Sequence, residues 1–109
     1  MIVAVTGGSG HLGAALVRAL LGRGHVVRVV DLSRGPGLDG LDVEFVAADV
    51  LDRGALEGAF AGVDTVFHLA AKISVVGDPD GSVWRTNVVG ARNAAAASLA
   101  VDVGRFVHT

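Results

Sequence analysis

Three glycines and an aspartate have the types and spacing of an anion-binding site. Gly7, Gly10 and Gly13 stand in the run Thr6-Gly7-Gly8-Ser9-Gly10-His11-Leu12-Gly13, and Asp31 follows 18 positions after the last of them. The apolar run Ile2-Val3-Ala4-Val5 precedes the glycines, and Leu12, Ala15, Leu16, Ala19 and Leu20 recur after them at helical spacing. Glycines at a strand-to-helix turn are the context in which such a pattern points to phosphate binding. Gly7 permits the tight turn, Gly10 lets the backbone approach a pyrophosphate, and Gly13 lets the helix pack close to the strand. A helix N-terminus there offers unpaired N–H groups and the positive end of the helix dipole. No Lys-Ser/Thr pair follows, so the run is not a Walker loop. Taken alone, it also describes an ordinary glycine turn.

Asp31 ends the second apolar run, where a dinucleotide fold places an acid against the adenosine ribose; a solvated strand-end aspartate is the competing reading. The same charge repels a 2′-phosphate, whereas Arg34, three residues on, could pair with one. The balance favours NAD over NADP. Asp49-Val50 ends the next short run: the carboxylate could accept from an adenine amino group, and Val50 could pack on the ring. A plain turn is the competing reading. His11 has two readings, a phosphate contact or a cover on the helix start. Lys72, the sole lysine, reads first as an exposed loop residue and second as a cofactor or substrate contact. His25, His68 and His108 lie far apart in sequence and read as structural, with no metal site.

These residues need a scaffold, and the 109 residues suffice for one domain, 1–109. Nine basic and 11 acidic residues give a net charge of −2, with no basic stripe for nucleic acid. No cysteine is present, which removes disulfides and thiolate metal sites and fits a cytoplasmic setting. The opening apolar run lacks the flanks of a signal peptide, and no run approaches the ~20 residues of a membrane span. The chain is 51% hydrophobic with mean hydropathy +0.58. A parallel sheet buried on both faces explains this, as does cover missing from the chain.

The expected order alternates strands and helices. Strands are expected over 2–6, 26–31, 43–49, 65–69 and 105–109, and helices over 11–22, 52–60 and 82–100. Loops are expected over 33–40 and 72–81. Asp52 is the expected N-cap of the second helix, in which Gly54 and Gly58 cost about 1 kcal/mol each relative to Ala. Trp84, Val88, Ala91 and Ala95 should share one face of the third helix. Such alternation implies βαβ units and a parallel α/β sheet.

The motifs together resemble the N-terminal half of an extended short-chain dehydrogenase/reductase, in the NAD-dependent epimerase/dehydratase superfamily. They are Thr6 to Gly13, Asp31, Asp49-Val50, His68-Leu69-Ala70-Ala71, Asn87-Val88-Val89-Gly90 and Phe106-Val107-His108-Thr109. Lys72-Ile73-Ser74 tilts the resemblance towards the dihydroflavonol-reductase and 3β-hydroxysteroid-dehydrogenase branch. The resemblance implies a Rossmann-like doubly wound sheet, order 3-2-1-4-5, with strand five at an exposed edge. It implies that Leu69, Ala70 and Ala71 line the cofactor, and that Asn87 holds structure or a proton-relay water. It further implies a small-molecule substrate, and a homodimer formed through the Ala-rich helix in the complete protein.

One departure matters. The family's general acid/base is the tyrosine of a Tyr-x-x-x-Lys pair, helped by a Ser or Thr. This chain has no tyrosine. The family's serine directly follows the position of Thr109, so the chain reads as a cofactor-binding part without the catalytic segment and substrate lobe. By itself it should not turn over. A non-catalytic, redox-sensing dinucleotide module is the alternative, and a flavin or S-adenosylmethionine site on a similar turn is a weaker third.

Overall fold

The structure is a computed structural model that describes residues 1–72 and 77–109. Strand β1 (Ile2–Thr6) leads through the glycine turn into helix α1 (His11–Gly22), followed by β2 (Val26–Asp31) and β3 (Glu44–Ala47). Helix α2 (Arg53–Phe60), β4 (Thr65–His68), α3 (Ser82–Trp84), a π-helical turn (Arg85–Val89), α4 (Gly90–Ala100) and β5 (Arg105–His108) complete the order. The sheet runs β3-β2-β1-β4-β5 with every pair parallel, as the resemblance implied.

Side chains alternate across β1, and both faces are covered. Val3 and Val5 pack with Val17, Val27, Val29 and Leu38 on the α1 side. Ala4 packs with Leu56, Phe60, Val66, Ala94 and Ala97 under α2 and α4. This double burial is why the strands read as continuous apolar runs. Complete burial of a side chain such as Leu56 or Phe60 contributes about 1.5–3 kcal/mol.

Local rules account for the boundaries. Asp52 caps α2 by accepting from the Ala55 amide at 3.1 Å, as expected. Gly24, at φ +84°, turns the chain after α1. Four expectations need correction. First, β3 stops at Ala47, β4 at His68 and β5 at His108, short of Asp49, Leu69 and Thr109. Past β4 the Leu69 amide divides between the Thr6 carbonyl and hydroxyl, and the Ala70 amide turns to the hydroxyl. Second, the loop 33–40 holds a 3₁₀ turn (Pro36–Leu38) whose Leu38 is fully buried.

Third, the expected face of the long helix is wrong. Trp84 is exposed, Val88, Ala91 and Ala95 are half-buried, and Gly90, Ala94 and Ala97 are buried instead. The π-helical turn between α3 and α4 winds more widely, so one 3.6-residue stripe cannot run from Trp84 into α4. Fourth, His68 and His108 are not scattered. Parallel β4–β5 pairing sets them opposite each other, with ring centroids 5.3 Å apart. Of the expected loop 72–81, residues 73–76, including Ile73 and Ser74, lie outside the described residues.

Candidate functional site

β1 lies at the centre of the sheet. The chain passes to β2 on one side and, later, to β4 on the other, so the carboxyl ends of these strands diverge around a crevice. A cavity of about 720 Å³ occupies that crevice. Every cofactor-site residue expected from the sequence lines it, except Arg34.

The glycine turn forms one wall. Gly7 adopts φ +72°, and a Cβ there would meet the Ala70 backbone nitrogen at 2.8 Å. A Cβ on Gly13 would strike the Gly7 carbonyl oxygen and approach Gly8 Cα to 2.6 Å. Gly13 thus lets α1 seat on the turn itself rather than on the strand. Gly10 differs: its backbone is ordinary (φ −78°), and a Cβ would touch only the Gly7 carbonyl oxygen, at 3.5 Å. The fold therefore does not need glycine at position 10, although the cavity it faces is narrowed by any side chain there. Gly8, which the sequence did not single out, closes the turn against Val29, where a Cβ would come within 2.8 Å of Cγ1. Among the described residues no side chain caps α1, and no acid stands in its first turn, so the amides at its N-terminus are left for a ligand or water.

Asp31 closes the second wall. Its Oδ2 accepts from the Ser9 amide at 3.2 Å and its Oδ1 from the Leu32 amide at 2.8 Å. Ser9 Oγ donates to the Ser33 carbonyl at 3.0 Å, tying the glycine turn to the loop after β2. Arg34 is exposed, donates to the Leu38 carbonyl at 3.3 Å and does not line the cavity. Asp49 Oδ1 accepts from the Leu51 amide at 2.9 Å. Val50 is buried, its carbonyl accepts from Asn93 Nδ2 at 3.0 Å, and a Cβ on Gly90 would come within 2.7 Å of Val50 Cγ2. Gly90 and Asn93 thus clamp α4 onto the Asp49-Val50 turn.

The third wall is Leu69-Ala70-Ala71-Lys72. Asn87, in the π-helical turn, grips its end: Oδ1 accepts from the Lys72 amide at 2.8 Å and Nδ2 donates to the Lys72 carbonyl at 3.0 Å. Lys72 Nζ donates to Ser82 Oγ at 2.8 Å, at the cavity's edge. Sequence reasoning missed Leu32 and Leu51, exposed apolar residues on the rim, each one or two places past a strand-end aspartate that could have signalled it. It also missed Arg85 and Thr86, for which the sequence carries no signal. Thr109 lies just past β5, its amide 3.4 Å from the His68 carbonyl.

A glycine turn, a carboxylate at the end of β2, a second two residues past β3, and a small-residue wall around one crevice form a nucleotide-sized site. The model of the NAD-dependent epimerase/dehydratase family matches residues 3–109. The chain belongs to that family. Among similar relatives, a 2-alkyl-3-oxoalkanoate reductase of Stenotrophomonas maltophilia is 43% identical over all of this chain and 33% of its own length. A 3β-hydroxysteroid dehydrogenase of Mycolicibacterium neoaurum is 38% identical over 98% of the chain and 31% of its own. Among solved structures, a short-chain dehydrogenase/reductase superfamily protein of Agrobacterium tumefaciens with bound NAD superimposes with TM-score 0.85. It is 36% identical, over 99% of this chain and 32% of that one. A dTDP-glucose 4,6-dehydratase of Streptomyces venezuelae, also with NAD bound, gives TM-score 0.87 at 32% identity, over 99% of this chain and 38% of that one. The chain spans about a third of the length of the curated relatives it matches.

Proposed function

We propose that this chain is the NAD(P)-binding part of an oxidoreductase, epimerase or dehydratase, with NAD favoured over NADP. The observation that carries the reading is the cavity where the glycine turn, Asp31, Asp49-Val50 and Leu69-Ala70-Ala71-Lys72 converge. Its features fit a dinucleotide. The backbone at Gly10 is bare without being needed bare by the fold, and the α1 amides have no side-chain cap among the described residues. NAD, when bound, supplies a ring that accepts or donates a hydride. The chain's own residues would bind and orient it. The α1 N-terminus and glycine turn would take the pyrophosphate, and Asp31 the ribose hydroxyls. Asp49 and Val50 would take the adenine, and Leu69 to Lys72 the wall beyond. NAD in similar solved structures supports the cofactor. Asp31 facing the cavity while Arg34 bonds elsewhere supports NAD over NADP.

A second reading is a non-catalytic dinucleotide-binding module, and the absence of a tyrosine from the 109 residues is compatible with both readings. Calorimetric titration of NAD tests binding. The wild type should bind, and Gly10→Val should abolish binding while leaving the circular dichroism spectrum unchanged, because the new side chain meets ligand space rather than protein. Unchanged affinity in Gly10→Val overturns the assignment. Sequence downstream of Thr109 in the reading frame separates enzyme from module: a Ser run followed by Tyr-x-x-x-Lys means enzyme.

A further inference from the structure

Thr6 and His68 are register partners on β1 and β4, 62 positions apart in sequence. Both are fully buried, and Thr6 Oγ1 lies 2.7 Å from His68 Nδ1. The same oxygen accepts the Leu69 amide at 3.1 Å and the Ala70 amide at 3.2 Å. The Leu69 amide is shared with the Thr6 carbonyl, also at 3.1 Å, whereas the Ala70 amide has the hydroxyl alone among the described residues. A hydroxyl has one proton and two lone pairs. The two amides occupy the lone pairs, so the proton goes to Nδ1. Nδ1 must then be bare, and the neutral ring carries its proton on Nε2. Nε2 is buried with no partner among the described residues. The ring forgoes one hydrogen bond in this arrangement, which argues that the bond at Nδ1 is the one the site needs.

We infer that His68 is a positioning residue: by accepting the Thr6 hydroxyl hydrogen bond at Nδ1, it aims that hydroxyl's lone pairs at the Leu69 and Ala70 amides and sets the cavity wall they begin. The inference rests on the proposed cofactor role of that wall. It also carries a pH dependence. A protonated ring would present an N–H to an oxygen with no lone pair left, and one amide would have to let go. The groups around the ring oppose that protonation. His108 on β5 adds a like charge, with its ring centroid 5.3 Å away. Phe106 beside it is uncharged, as are Leu56, Phe60, Ala94 and Ala97, which α2 and α4 bury against this side of the sheet. Burial first, then His108, holds the ring neutral down to about pH 4.

The test uses the 109-residue chain, with His68→Leu, which removes the acceptor, and His68→Asn, whose Oδ1 replaces Nδ1 but does not titrate. Nitrogen-15 NMR should show the Nε2–H tautomer at neutral pH, and the Ala70 amide shift should titrate together with the His68 ring. His68→Leu should speed Ala70 amide exchange and weaken NAD binding, each by about tenfold, the scale of one lost hydrogen bond. His68→Asn should restore both and abolish the Ala70 titration. An Nδ1–H tautomer, unchanged Ala70 exchange in His68→Leu, or a folded His68→Asn that rescues neither property overturns the inference. If Gly10→Val loses NAD while His68→Leu keeps full affinity, the positioning role falls and the cofactor reading stands. If the wild type binds no NAD, both fall.

Discussion

Asp31 already accepts two backbone hydrogen bonds, from Ser9 and Leu32, which fix its carboxylate at the cavity wall. A fixed anion there is hostile to a 2′-phosphate. Asp31→Ala should therefore raise affinity for NADP relative to NAD by about tenfold, on the order of 1.4 kcal/mol. Dissociation constants for both cofactors check this, and a wild type that already prefers NADP would show that Arg34 leaves Leu38 to bind the phosphate. His68 makes a separate prediction about stability. Its folded-state pKa is lowered from 6.5 to about 4, so between those values the unfolded chain binds more protons than the folded one. The contribution of His68 to stability should be constant above pH 6.5 and be lost as pH drops towards 4, by about 3 kcal/mol in total. Denaturant melts across pH check it, and His68→Asn should remove that part of the slope.

Among the elements, α2 shows how tertiary contacts offset weak local propensity. Two of its eight residues are glycines, yet Asp52 caps its start. Arg28 on β2 caps its end, Nη1 donating to the Ala59 carbonyl at 2.8 Å and the Ala61 carbonyl at 2.9 Å. Gly58 is exposed, and a Cβ there would meet nothing within 4 Å. Gly58→Ala should stabilise the chain by about 0.5–1 kcal/mol, since alanine loses less entropy in a helix. Thermal melts check it, and a destabilised variant would show that α2 is strained in a way its contacts do not reveal. The π-helical turn acts in the other direction. It gives up regular winding, while Asn87 within it grips Lys72 and α4 beyond it meets Val50 through Gly90.

At the scale of the whole molecule, the two sheet edges are alike in length and burial, four residues each with a half-buried Phe-Val pair, and differ in what lies beside them. β3 carries Glu44, paired with Arg28 of the neighbouring strand at 3.0 Å. β5 presents Phe106 and Val107 half-buried, beside a groove of about 420 Å³ that includes Leu99, 79% exposed. An unpaired apolar edge is a template for another strand. The 109-residue chain should therefore run as a dimer or larger species in sizing chromatography, and Val107→Lys should shift it towards monomer. The same chain should show no NAD reduction with a panel of alcohols, because it has no tyrosine for the proton step, typically worth 10²–10⁴-fold. A monomer with turnover would overturn both expectations.

The sequence by itself determined the alternation of elements, the glycine turn and the strand-end acids. Each is a local signal: apolar runs bounded by glycine, and carboxylates at the last residue of a run. Parallel strands bring all such carboxyl ends to one edge, so Asp31 and Asp49 could be assigned to one crevice without coordinates. The tertiary structure alone decided what depends on partners distant in sequence. It turned Arg34 onto Leu38 and buried Leu38 in a loop that read as all breakers. It brought His68 beside His108 and put the Thr6 hydroxyl between His68 and two amides. It also rotated the buried face of the last helix to Gly90, Ala94 and Ala97. The physical reason is that periodicity records only how a segment's own backbone favours winding or extension. Which side chains then meet depends on strand register and on packing across the sheet, which no local pattern encodes.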